Sequence, residues 1–312
     1  MNPIDIYMVS GFLGSGKTTF LTKFLESFQE KKVGILVNEL GVINIDGMLI
    51  ERDGIQMTEI TSGSIYCYCK QGDFIQVLRT FSVSDIDVLL IENSGMADPS
   101  NIHRILPQGT VESGRDFIYK GAICILDAMT FVQHVHVLPS IANQVRASNF
   151  IILNKVDMVN QVRIEQCKQE ILRLNSTACI YETIYADIPF SVIETYLQDN
   201  GYDEETTNKC FNKFQSYSLE TKELVTIEAV QQFVCAVKPK VYRIKGFIKT
   251  REKWLHLDVV EDYVSSQETT LLKKQQLTTT KLVFIGKDEK PYDKWLIKQW
   301  MEIVGTAVVV YS

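Results

Sequence analysis

The residues best equipped for chemistry stand near the start of the chain, in Gly11-Phe-Leu-Gly-Ser-Gly-Lys-Thr18, with Thr19 next. The string has the form GxxxxGK[ST], and it follows an apolar run, Ile4 to Val9, and opens a helical pattern from Lys17 to Gln29. Gly11, Gly14 and Gly16 allow the backbone to curl, so that successive N–H groups from Ser15 to Thr19 turn inward beside a helix N-terminus. That arrangement binds phosphate. Lys17 is expected to reach the β and γ phosphates, and the Thr18 hydroxyl to coordinate Mg²⁺.

Two further stretches specify the rest of such a site. "DVLLIENSG" puts Glu92 at the end of an apolar run with Gly95 three residues later, an acidic-x-x-Gly switch in which Glu92 holds Mg²⁺ or answers the γ-phosphate. Lys17, Glu92 and Gly95 are the expected catalytic group. "ILNKVDM" contains Asn154-Lys155-Val156-Asp157, the NKxD pattern, again directly after an apolar run. An aspartate there can accept from both the N1–H and the 2-amino group of guanine, while the Lys155 stem covers the base. Leaving that aspartate buried and unpaired would penalise adenine, so the spacing points to GTP over ATP. Ala186, in "YAD", is expected in a second guanine loop.

These motifs need a scaffold that delivers them to one edge. Apolar runs at 4–9, 32–38, 87–93, 122–127 and 150–155 read as strands buried on both faces, and 55–60 as an additional strand. Helical patterns cover 73–81, 141–148 and 162–174. The alternation predicts an α/β fold, a mostly parallel sheet flanked by helices. The acidic, apolar-poor "DNGYDEETTNK" at 199–209 reads as a boundary, giving domains 1–200 and 201–312. Beyond it, strand-like runs at 214–220, 241–249, 254–260 and 281–286, with helices at 228–237 and 292–303, predict a smaller α+β domain with an antiparallel sheet.

Composition excludes several other classes. Lys plus Arg number 32 against 38 Asp plus Glu, for a net charge of −6, which offers no general attraction to nucleic acid or anionic lipid. No apolar stretch is long enough to span a membrane, and the first residues lack the basic and apolar regions of a signal peptide. Seven cysteines, an odd number, suggest free thiols in a reducing cytoplasm.

"GFLGSGKTTFL", "NELGVINIDG", "IENSGMADP", "ILDA" and "NKVD" occur in the order and spacing of the CobW-type P-loop GTPases, relatives of UreG and HypB, and the chain resembles that family through about Tyr196. "VYRIKGFI" and "KLVFIG" resemble its C-terminal domain. The resemblance implies GTP-dependent delivery of a metal ion or metal cofactor, corrinoid chemistry included, to a client metalloprotein. It also implies a second metal site in the loop where typical members carry GCxCC. Here the loop is "TSGSIYCYCK": Ser64 and Tyr66 replace the first two cysteines, Cys67 matches the third, and Cys69 is added. Zinc prefers four ligands, and Cys67-x-Cys69 offers two, so Glu39, Asp46, a cofactor or a client would complete the shell around Zn²⁺, Co²⁺ or a similar ion. The alternative is that both are ordinary cytosolic thiols.

His134 and His136 point about 200° apart on a helix and would not chelate one ion. Met96 follows Gly95, where many GTPases place a water-orienting glutamine. Slow intrinsic hydrolysis is therefore expected, with a partner or a second protomer completing the site. Two rival readings stay open: a regulatory GTP switch that carries no metal, and a P-loop kinase that phosphorylates a small molecule, against which NKxD argues.

Overall fold

The computed structural model describes residues 2–39, 56–61, 71–205, 215–260, 263–269, 278–287 and 292–311. The chain divides into two compact units that part near residue 211.

The first unit is built on seven strands, β1 Ile4–Ser10, β2 Val33–Glu39, β3 Gln56–Thr61, β4 Val88–Glu92, β5 Phe117–Asp127, β6 Phe150–Asn154 and β7 Cys179–Thr183. They lie in the order β3-β2-β4-β1-β5-β6-β7, every neighbouring pair parallel. Its helices are α1 Lys17–Phe24, α2 Gln71–Ser82, α3 Ile102–Ile105, α4 Phe131–His134, α5 Pro139–Arg146, α6 Gln161–Leu174 and α7 Phe190–Tyr196.

The continuous apolar runs follow from this layering. Tyr7 and Val9 pack with Phe20, Leu21 and Phe24 of α1 and Ile193 of α7, whereas Ile4, Ile6 and Met8 pack with Phe74, Leu78 and Phe81 of α2. Alternate residues of one strand thus serve opposite faces, and both need apolar side chains. The α2 anchors recur at helical spacing and form one stripe. α1 is shorter than its pattern: the chain tightens into a 3-10 turn at Leu25–Phe28. β5 starts five residues before the apolar run, because its first turn of sequence, Phe117 to Lys120, is only partly buried. β7 escaped the apolar criterion for the same reason, being a half-exposed edge.

The second unit contains β8 Ser216–Thr221, α8 Ile227–Val237, β9 Val241–Lys249, β10 Trp254–Val260, β11 Tyr263–Glu268, β12 Thr280–Gly286, α9 Asp293–Ile303 and β13 Val309–Tyr311. The antiparallel order is β11-β10-β9-β12-β8-β13. Val230, Phe233 and Val237 of α8 and Leu296 and Trp300 of α9 cover one face, over Ile244, Leu257 and Phe284. Trp300 lies edge-on to Phe233 at 5.0 Å. On the other side of β9 and β10, Arg243 grips Asp258 through two 3.0 Å hydrogen bonds. Burial, with Lys245 and Arg243 nearby, pushes the His256 imidazole down to about 4 against the opposing pull of Asp258. The exposed edges β11 and β13 carry no clear alternation and were not anticipated. Among the described residues, no helix is long and apolar enough to cross a membrane.

Candidate nucleotide-binding site

In an open parallel sheet the carboxyl ends of the strands share one edge, where the connecting turns gather. β1 ends at Ser10, beside the glycine loop. Glu92, at the end of β4, stands opposite Val9 of β1 and Val37 of β2. Across the sheet, Asn154 at the end of β6 stands opposite Asp127 of β5 and Thr183 of β7. The phosphate, switch and guanine motifs are therefore all delivered to the same edge.

The loop itself is tightly determined. Gly11 has φ 140°, and a Cβ there would lie 2.2 Å from the Ile125 carbonyl oxygen of β5. Gly16 caps α1 with φ 113°, a conformation L side chains rarely adopt. The Lys17 ammonium is buried and donates to the carbonyls of Gly11 at 2.8 Å and Phe12 at 3.1 Å, which hold the charge across the curl. Gly14 is also left-handed, Ser15 is fully buried, Thr18 half-buried and Thr19 exposed at the helix start. Phe12 packs on the His134 ring at 4.6 Å. His136 instead lies 3.8 Å from Glu170, so the two histidines serve different neighbours.

Asn154 ties the loops together. Its Nδ2 donates to the Ser15 carbonyl at 2.8 Å, and its Oδ1 accepts from the Ala186 backbone N–H at 2.9 Å. Asn154, expected to contribute to nucleotide binding as the first residue of NKxD, has its amide spanning the phosphate loop and the turn after β7. That turn holds Tyr185 and Ala186 at φ 54° and 50°, conformations costing about 1–3 kcal/mol each. The Thr183 hydroxyl, donating to the Asp187 carbonyl at 2.7 Å, closes it. Lys155 is left-handed as well, at φ 61°, and its ammonium reaches Asp127 at 2.6 Å. Asp127 also accepts from the Met129 N–H at 2.8 Å. Asp127, like Glu92, is an acid that closes an apolar run, and that position is its signal in the sequence.

Asp157 lies on the short turn Val156–Met158 and is exposed, not desolvated as the sequence reading assumed. Cys124, near the end of β5, is core: burial raises its thiol to about 12 despite Lys17 and Ser10 nearby.

The switch is held from behind. Glu92 is buried, and Gly95 lies so close to the loop that a Cβ would meet the Leu13 backbone N at 2.7 Å. From α5, Gln144 donates to the Ala97 carbonyl at 2.7 Å and the Gly95 carbonyl at 3.3 Å, while Asn143 donates to Asp98 at 2.9 Å. Asp98 also accepts from the Ser100 N–H at 3.1 Å and from its hydroxyl. The acidic segment beyond α7 is fastened to the same region. Arg104 pairs with Asp203 at 2.9 Å, His103 lies 3.1 Å from Asp199, and the Glu204 N–H donates to the Ser100 carbonyl at 3.1 Å. Neither the α5 amides nor these pairings leave a local signal in sequence, since each joins residues more than 40 positions apart.

Glu39 ends β2, opposite Thr61. Asp46, Cys67 and Cys69 lie outside the described residues, as does the loop that contains the two cysteines. Among the described residues, no group of three or more His, Cys, Asp or Glu could hold a metal ion.

Comparison with known proteins agrees with this layout. Residues 5–182 match the family described as CobW/HypB/UreG, nucleotide-binding domain, and residues 214–300 match the cobalamin synthesis protein cobW C-terminal domain. The chain is similar to the zinc chaperone YjiA of Escherichia coli, at 29% identity over 65% of this chain and 63% of that protein. It is similar to the zinc-regulated GTPase metalloprotein activator 1 of Dictyostelium discoideum, at 25% identity over 61% of this chain. The match spans about half of that relative, 48% of its length. A longer match, 24% identical over 91% of this chain and 88% of the relative, is with the zinc chaperone CobW of Pseudomonas aeruginosa. With more than half its length covered by the first domain and most of the remainder by the second, the chain belongs to the CobW/HypB/UreG family.

Proposed function

We propose that the protein is a GTP-hydrolysing metallochaperone that couples nucleotide state to delivery of a metal ion to a client metalloprotein. The carrying observation is the convergence of the Lys17 loop, Glu92 and the Asn154–Asp157 turn on one sheet edge. The residues fit a Mg²⁺-bound triphosphate. The loop N–H groups and Lys17 would bind phosphate oxygens, Thr18 and buried Glu92 would hold Mg²⁺ directly or through water, and Gly95 would meet the γ-phosphate. Lys155 and Asp157 would take the base. Mg²⁺ supplies charge neutralisation at the β and γ phosphates when bound.

The metal is cargo. The relatives' names weigh toward zinc and a divalent ion over a corrinoid, with Cys67 and Cys69, alongside Glu39 or Asp46, as the proposed ligands. The cysteines fall between the segment from Asn38 to Gly47 and the Gly95 switch in sequence, so a γ-phosphate that orders both segments would alter the ligand geometry. A client, or a second protomer, would supply what the site lacks.

Coupling has a thermodynamic signature. Zn²⁺ affinity, measured by competition with a chromophoric chelator, is expected to differ at least fivefold between the GTP-analogue and GDP complexes. Zn²⁺ must then change analogue affinity relative to GDP by the same factor. Equal affinities in both complexes would end the carrier reading while leaving GTP binding intact, and would favour the metal-free switch.

A further inference from the structure

The hydrolysis step just proposed requires the Gly95 turn to present one geometry to the γ-phosphate, and Met96 removes the side chain that often helps there. The structure supplies a replacement from a different element. Gln144 is fully buried on α5, and its side-chain N–H group reaches two carbonyls of the switch turn on either side of Met96, Ala97 at 2.7 Å and Gly95 at 3.3 Å. Its own Oε1 is buried and has no partner among the described residues. An unsatisfied buried acceptor is costly, and apolar residues fill such positions more cheaply. What this amide contributes to the turn is its donor end. Asn143, the residue before it, adds a 2.9 Å bond to the fully buried Asp98, so one helix turn holds Gly95, Ala97 and Asp98.

We propose that Gln144 is a positioning residue for GTP hydrolysis, fixing the Gly95–Ala97 turn so that the Gly95 N–H is aimed at the γ-phosphate. The inference rests on the GTPase reading and extends it. It acts on the triphosphate alone, since GDP has nothing for Gly95 to meet. Loss of the donor therefore lowers kcat and the preference for a GTP analogue over GDP, and leaves GDP affinity unchanged.

The test uses the full chain with GTP and Mg²⁺. Gln144→Leu keeps the approximate volume and removes the donor; kcat is expected to fall about tenfold with GDP affinity within twofold of the parent. Gln144→Glu provides a second readout. Its carboxylate cannot donate at high pH, whereas its protonated acid can, so kcat relative to the parent is expected to climb as pH is lowered from 8 to 6. An unchanged kcat in Gln144→Leu, or a parallel fall in GDP and analogue affinities, would overturn the inference. Should the leucine variant not fold, a flat ratio of Gln144→Glu to parent across that pH range does so. Absence of GTP hydrolysis by the parent protein would instead overturn the GTPase reading itself, in the first arm of the experiment.

Discussion

Lys17→Ala is expected to weaken GTP binding by roughly 100- to 1,000-fold while leaving the fold intact. In the structure the ammonium donates to the Gly11 and Phe12 carbonyls from the first turn of α1, and it is the one cation the glycine loop itself carries. Facing a triphosphate, it would make charge-assisted hydrogen bonds, each worth about 1.5–3 kcal/mol net of water. At the low end of that range two such bonds amount to about 3–4 kcal/mol, which matches the expected loss, since 1.4 kcal/mol is about tenfold in affinity. The effect on stability is expected to be small, because alanine suits the first turn of a helix. Isothermal titration of the parent and variant, with thermal unfolding of both, checks the two halves of the statement. A variant that binds GTP within threefold of the parent would mean that Lys17 does not touch the phosphates.

The second large effect concerns the backbone. Gly11→Ala is expected to cost more than about 4 kcal/mol, enough to unfold a typical domain in mild denaturant. Two causes act together. The φ of 140° lies where a Cβ is strained, and that Cβ would sit 2.2 Å from the Ile125 carbonyl, a backbone atom of the neighbouring strand that cannot swing aside. The loop or β5 must move, and both form the site edge. Urea unfolding measures this directly. A midpoint within 0.5 M of the parent would show that the loop relaxes freely. By contrast Gly72, whose Cβ would meet nothing within 4 Å, should accept alanine without penalty, so it serves as the control.

The parallel sheet and the nucleotide motifs were legible because each is local. A buried strand is a short apolar run, and the turns that follow it carry Lys17, Glu92 and Asn154 within a few residues. What the sequence did not disclose depends on distance or on exposure. Gln144 and Asn143 read as polar positions on an amphipathic helix until the fold brings the switch turn against them. The acidic run at 199–205 reads as a solvated boundary; it is also partner to His103 and Arg104 on α3. The strands β7, β11 and β13 are half-exposed edges, where neither an apolar run nor clean alternation is needed. Asn154 shows a third kind of gap. Its motif was visible, but its two hydrogen bonds belong to the loop and the Ala186 turn, so part of a binding signature is scaffolding.

Guanine is expected to be chosen by the turn that carries Asp157. The most direct test is a side-by-side titration of the protein with GTP and ATP analogues in Mg²⁺. A preference for guanosine of at least 100-fold is expected, because each hydrogen bond lost at a charged acceptor costs about 1.5–3 kcal/mol once the base covers the carboxylate. Equal affinity for the two nucleotides, or binding of neither, would contradict it.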